Sequence, residues 1–167
     1  MFEEILQGRY EQWQGLAPHL TLEDLSRWLA PAVLHPPRQR DRIATRYSVV
    51  QIERRSAPCL WEAWIPFASH EVAIVEVEDP LCSDIDATLE AMGKPETVLD
   101  DQRLSADYLV REFVFPQRGI NLSVGDPLPS VSERRALLHV RLFPAMTLQR
   151  YLTAVGEPNP TTPQTNA

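Results

Sequence analysis

The chain has 167 residues, with 23 acidic and 16 basic side chains and a net charge of −7. That is the length of one domain able to bury its own core without disulfide or metal staples. The acidic balance argues against a nucleic-acid binder, which presents a basic face. Cys59 and Cys82 stand in neither a metal-ligand nor a redox spacing, and Lys94 is the only lysine beside 15 arginines, side chains that grip carboxylates but make poor bases or nucleophiles.

Met1-Phe2-Glu3-Glu4-Ile5 carries acids where a secretory signal carries bases, and no apolar run approaches the ~18 residues that span a bilayer. A cytoplasmic location without a membrane partner is the expectation. Ile5, Leu6, Tyr10, Trp13 and Leu16 predict an amphipathic helix over 2–16, stopped by Pro18. Thr21 and Asp24 form a capping-box pattern opening a second helix, with Leu22, Leu25, Trp28 and Leu29 on one face up to Pro31. The two make an αα-hairpin with Trp13 and Trp28 in its core. His35-Pro36-Pro37-Arg38-Gln39-Arg40 reads as a loop.

From Arg46 the period becomes two. Residues 47–52, 60–65 and 72–77 are rich in β-branched and aromatic side chains and predict an antiparallel meander. Ser83 and Asp86 suggest a cap for a third helix carrying Ile85, Leu89 and Met92, ended by Gly93 and Pro95. Residues 108–115, 120–124 and 136–143 predict a second meander, its first turn at Pro116-Gln117-Arg118-Gly119. Leu148, Tyr151, Leu152 and Val155 predict a last helix near 147–155. The fold class expected is α+β: one domain over 1–155, with two three-stranded meanders packed as two layers or joined in one six-stranded sheet. The tail 156–167, rich in Pro, Thr and Asn, has nothing to bury and is expected to be disordered. Over Leu89–Val124, with Gly93-Lys94-Pro95-Glu96 and Arg118-Gly119, the chain resembles small outer-membrane-assembly lipoprotein domains. It lacks their lipoprotein signal and cysteine, so that family is not assigned.

Nucleotide-binding, zinc-protease, EF-hand and serine-hydrolase motifs are all missing from the sequence. His19, His35, His70 and His139 are scattered through loops and one strand, and no cofactor or metal is implied. Glu76, Glu78 and Asp79 with Asp84 and Asp86 offer oxygen ligands for calcium, but no loop with a central glycine accompanies them.

Charge is distributed unevenly. Between Glu71 and Asp107 lie 11 acidic and two basic residues, against 12 acidic and 14 basic elsewhere, so −9 resides in that segment and +2 in the rest. Glu76 and Glu78 share one face of their strand while Val75 and Val77 take the other, which points the acids to solvent. The stretch holding Arg38, Arg40, Arg42, Arg46, Arg54 and Arg55 forms an opposing basic surface. Trp61 and Trp64, three apart in a strand, point to opposite faces, so one of them can serve as an interface anchor.

These features lead to the expectation of a stoichiometric protein-binding module rather than an enzyme. In type, though not in sequence family, it resembles toxin-neutralising immunity proteins. Glu76, Glu78, Asp79, Asp84, Asp86 and Glu90 would meet the basic surface of a partner protein, and Trp61 would supply desolvated contact area. The alternatives are an adaptor or chaperone for a secreted effector, binding through a sheet edge or the helical hairpin near Trp13 and Trp28, and a small hydrolase or transferase using His70 or His139 with a carboxylate.

Overall fold

The structure is a computed structural model that describes residues 2–36, 46–54, 59–101, 108–128 and 134–156. The arginines at 38, 40, 42 and 55 and the tail beyond Gly156 lie outside the described residues.

The N-terminal hairpin expectation is corrected. Helix α1 covers only Glu3–Leu6, a 3-10 turn covers Tyr10–Gln12, and extended chain follows. The chain turns at Gly8, whose φ of +72° favours glycine and whose position a Cβ would place 2.9 Å from the Leu81 carbonyl oxygen. The apolar spacing of residues 2–16 is real, but several short segments bury it. Helix α2 (Leu22–Trp28) forms as expected. The Thr21 hydroxyl accepts from the Asp24 amide at 3.2 Å, and the Asp24 carboxylate accepts from the Thr21 amide at 3.2 Å, together closing the capping box.

One antiparallel sheet of eight strands runs in the order β1-β2-β3-β4-β8-β7-β6-β5. Its strands are β1 (Ala32–Leu34), β2 (Tyr47–Arg54), β3 (Leu60–Pro66), β4 (Ile74–Glu78), β5 (Thr97–Asp101), β6 (Tyr108–Phe115), β7 (Ile120–Pro127) and β8 (Ala136–Leu142). The α+β class and the meanders hold, but each meander has four strands rather than three. The two additional strands are the edges. β1 is three residues long and enclosed by Pro31 and Pro36, and β5 ends in two aspartates, residues depleted in strands. Each meander is followed by a helix, α3 (Ile85–Met92) after β4 and α4 (Leu148–Val155) after β8. Asp84 rather than Ser83 caps α3, accepting from the Ala87 amide at 3.0 Å.

The N-terminal segment and α3 cover one face of the sheet, burying Trp61, Val75, Val77, Leu122 and Val140 beneath Phe2, Trp13, Leu25 and Ile85. On the other face, α4 sets Tyr151 and Leu152 against Val49, Trp64, Ile74, Val114 and Phe143, with Phe143 and Tyr151 stacked at 4.4 Å between ring centroids. Gly119, left-handed at φ +63°, brings the β6–β7 turn onto the N-terminal segment. A Cβ there would lie 2.1 Å from the Phe143 carbonyl oxygen, while the Trp13 indole donates to the Gly119 carbonyl at 3.0 Å.

Candidate functional site

Beyond α4 the second face becomes polar. Cross-strand register aligns Gln51, Glu62, Glu76, Arg141 and Asn121 in one row from β2 to β7, with Leu60, Glu78, His139, Ser123 and Glu112 in the row beside it. Period two puts these side chains on one face, and strand pairing brings them into contact. The Arg141 guanidinium donates to Glu76 at 2.6 Å and to both Glu112 carboxylate oxygens at 2.9 and 3.1 Å. Asn121 donates to Glu112 at 2.7 Å and to the Tyr151 hydroxyl, and Gln51 donates to Glu62 at 3.1 Å. Arg141 also lies over the Trp64 ring, 5.6 Å from its centroid.

Glu62, Glu76 and Glu112 are at most 5% exposed. Burial opposes the charged form of Arg141, but Glu112 and Glu76 outweigh it and raise its pKa well above the ordinary value. Tyr151 is raised as well, chiefly because burial disfavours the phenolate.

Glu76, Glu78 and His139 bring potential ligand atoms within 4.8 Å of one another. Glu76 is already hydrogen-bonded to Arg141, so a guanidinium supplies the positive charge that a metal ion would bring. His139 Nδ1 is buried without a hydrogen-bond partner among the described residues. His70 is exposed and makes no hydrogen bond or ion pair among them. Neither histidine named as a catalytic candidate is paired with a carboxylate there.

The six acids expected to form one surface are divided by the sheet. Glu76 and Glu78 lie on the Arg141 face, and Asp84, Asp86 and Glu90 belong to the α3 layer on the opposite one. Glu76 faces away from Val75 and Val77 as expected but not to solvent, since β4 is central and Arg141 closes over its carboxylate. Glu78 is half-buried, Asp79 is exposed at φ +48°, Asp86 pairs with Arg135, and Asp84 and Glu90 are exposed. Trp61 is corrected from anchor to core. It is fully buried under the N-terminal segment, edge-on to Phe2 at 5.7 Å, and Trp64 is buried on the other face. Trp28, expected in the core, is 54% exposed at the end of α2.

Two features were missed. At the sheet edge, β1 exposes Val33 and Leu34 close in sequence to Trp28. No described strand covers its outer side. Between the sheet and α4, a cleft of about 520 Å³ is lined by Tyr47, Ile74, Phe143 and Tyr151 and rimmed by His19, Ser69, Glu71 and Arg150. His19 Nδ1 lies 2.7 Å from a Glu71 carboxylate oxygen, which raises the His19 pKa. A bridge between Thr21 and Glu71 joins segments some fifty residues apart, so local sequence carried no signal for the pair.

No family model matches the chain, and no curated protein or solved structure shows significant similarity to it. No described helix is long and apolar enough to cross a membrane.

Proposed function

We propose that the protein is a stoichiometric protein-binding module that takes an extended, apolar segment of a partner protein along the β1 edge, as an adaptor or chaperone does. The observation that carries this reading is the exposure of Trp28, Val33 and Leu34 around a strand edge that no described strand covers. His35 donates its amide to Gln51. By antiparallel alternation Val33 therefore pairs inward, and the amides and carbonyls of Ala32 and Leu34 point outward. An added strand would take those groups, and the exposed side chains would supply apolar contact. Three residues form too short an edge to hold a partner through backbone bonds alone, which gives Trp28 the role of anchor.

A second reading keeps the toxin-neutralising role. Asp79, Asp84 and Glu90 are exposed and have no cationic partner among the described residues, a charge surplus suited to occluding a basic active-site surface. Co-purification of the tagged protein from its native cell separates the two. In the edge reading the partner is lost from a Val33→Lys/Leu34→Lys variant, kept by Asp84→Lys/Glu90→Lys, and survives high salt. The reverse pattern, with a basic partner released by salt, supports the toxin reading and rejects the edge. A partner kept by both variants rejects both surfaces.

A further inference from the structure

We propose that the cleft between the sheet and α4 binds a small apolar monocarboxylic acid, with the carboxylate on Arg150 and the hydrocarbon on Tyr47, Met146 and Ala154. This site is separate from the β1 edge and does not rest on the reading given to it.

The cleft's volume of about 520 Å³ suits a small ligand. Its accessible apolar lining is the margin of the α4 core, where Tyr47, Met146 and Ala154 are partly exposed around the buried Ile74, Phe143 and Tyr151. Polar groups stand at the rim, an arrangement that orients an amphipathic molecule with one charged end outward.

Charge at the rim selects the sign of that end. Glu71 is hydrogen-bonded to His19 at 2.7 Å, and its charge is compensated whenever that imidazole is protonated. Arg150 is exposed, and its guanidinium makes no ion pair or hydrogen bond with any described residue. Its backbone amide is held by the Thr147 hydroxyl at 3.3 Å, so the first turn of α4 fixes where the side chain starts. The Ser69 hydroxyl accepts from the Glu71 amide at 3.0 Å, which leaves its own O–H to donate to an anion. One uncompensated guanidinium and one hydroxyl donor lining the same cleft fit a carboxylate better than an amine.

The pair at the lip makes binding pH-dependent. The titratable and charged groups around the carboxylate position are His19 from the N-terminal segment, Glu71 before β4, Tyr47 on β2, and Arg150 and Tyr151 on α4. When His19 loses its proton, Glu71 is left uncompensated and opposes an anion at the rim, so affinity falls as pH rises through the His19 titration.

The test is titration calorimetry of the full chain with 4-phenylbutyrate and with its neutral amide. The expected result is saturable binding of the acid, about tenfold weaker in Arg150→Gln, with Arg150→Lys retaining most of it. The amide should bind wild type and Arg150→Gln alike. Ala154→Trp, which fills the cleft from α4, should abolish acid binding while the thermal melt stays cooperative. Equal binding of acid and amide to wild type overturns the assignment, as does an acid affinity unchanged by Arg150→Gln. So does the absence of saturable binding to wild type by 4-phenylbutyrate and by octanoate.

Discussion

Trp61 and Arg141 lie at similar depth on opposite faces of the sheet, and their surroundings have opposite chemistry. Trp61 is packed by Phe2 and apolar strand neighbours, whereas Arg141 is held by Glu76, Glu112 and an aromatic ring. The first face is stabilised by volume and tolerates apolar side chains that conserve it. The second depends on partners, because a buried carboxylate that loses its cation is costly even where the intact cluster adds little. Pairing across β4 and β8 is also specific in register: a slip of one residue would send Glu76 and Arg141 to opposite faces.

Substitutions can sharpen this contrast. Trp61→Ala is expected to cost about 3–5 kcal/mol in urea unfolding, with Trp61→Phe recovering much of it. Arg141→Met is expected to lose a similar ~3–5 kcal/mol, but Arg141→Lys should not rescue it, since lysine cannot reproduce the fork shared by two carboxylates. Replacing Arg141, Glu76 and Glu112 together by apolar residues should restore most of the loss. If the triple variant is less stable than Arg141→Met, the account of the polar face fails.

The next effect is alkaline and engages both faces, through Tyr10 and Tyr151. Burial raises both hydroxyls above the ordinary value of 10.0. A raised tyrosine pKa gives stability that is complete below the unfolded value and lost as pH rises above it, because the unfolded chain releases its proton first. Melting temperature should therefore fall above about pH 10, and Tyr10→Phe with Tyr151→Phe should flatten that fall. The smallest effect expected is at Thr21, where alanine removes the α2 cap for about 1 kcal/mol. Asp24, lowered by its hydrogen bonds to Thr21, adds a contribution present above its unfolded pKa and lost as pH falls through the folded one. Asp24→Asn should remove that acid-side dependence.

Local signals carried much of the fold. The Thr21–Asp24 spacing marked α2, alternation marked six strands, and Gly119 marked the β6–β7 turn. The edge strands escaped because proline and aspartate mask short extended segments, and the helix expected over 2–16 failed at a glycine that must turn. The site was legible only in part. Alternation grouped Glu76 with Glu78 correctly, but Arg141 lies 65 residues from Glu76, and only strand order decides that they meet. Alternation separates Trp61 from Trp64 onto opposite faces, but nothing in the local sequence shows that Phe2 covers Trp61.

The junction of β4 with β8 also bears on how the chain reaches its structure. Within each meander, consecutive strands pair through neighbouring sequence, so most loops closed early are short. The β4–β8 seam instead joins residues such as Glu76 and Arg141, and Trp13 crosses a still longer separation to the Gly119 carbonyl. Two locally assembled halves would meet along this seam, with the N-terminal segment fastening the second half to the first. Changes at the seam should then mainly speed unfolding, whereas changes inside a meander should slow folding.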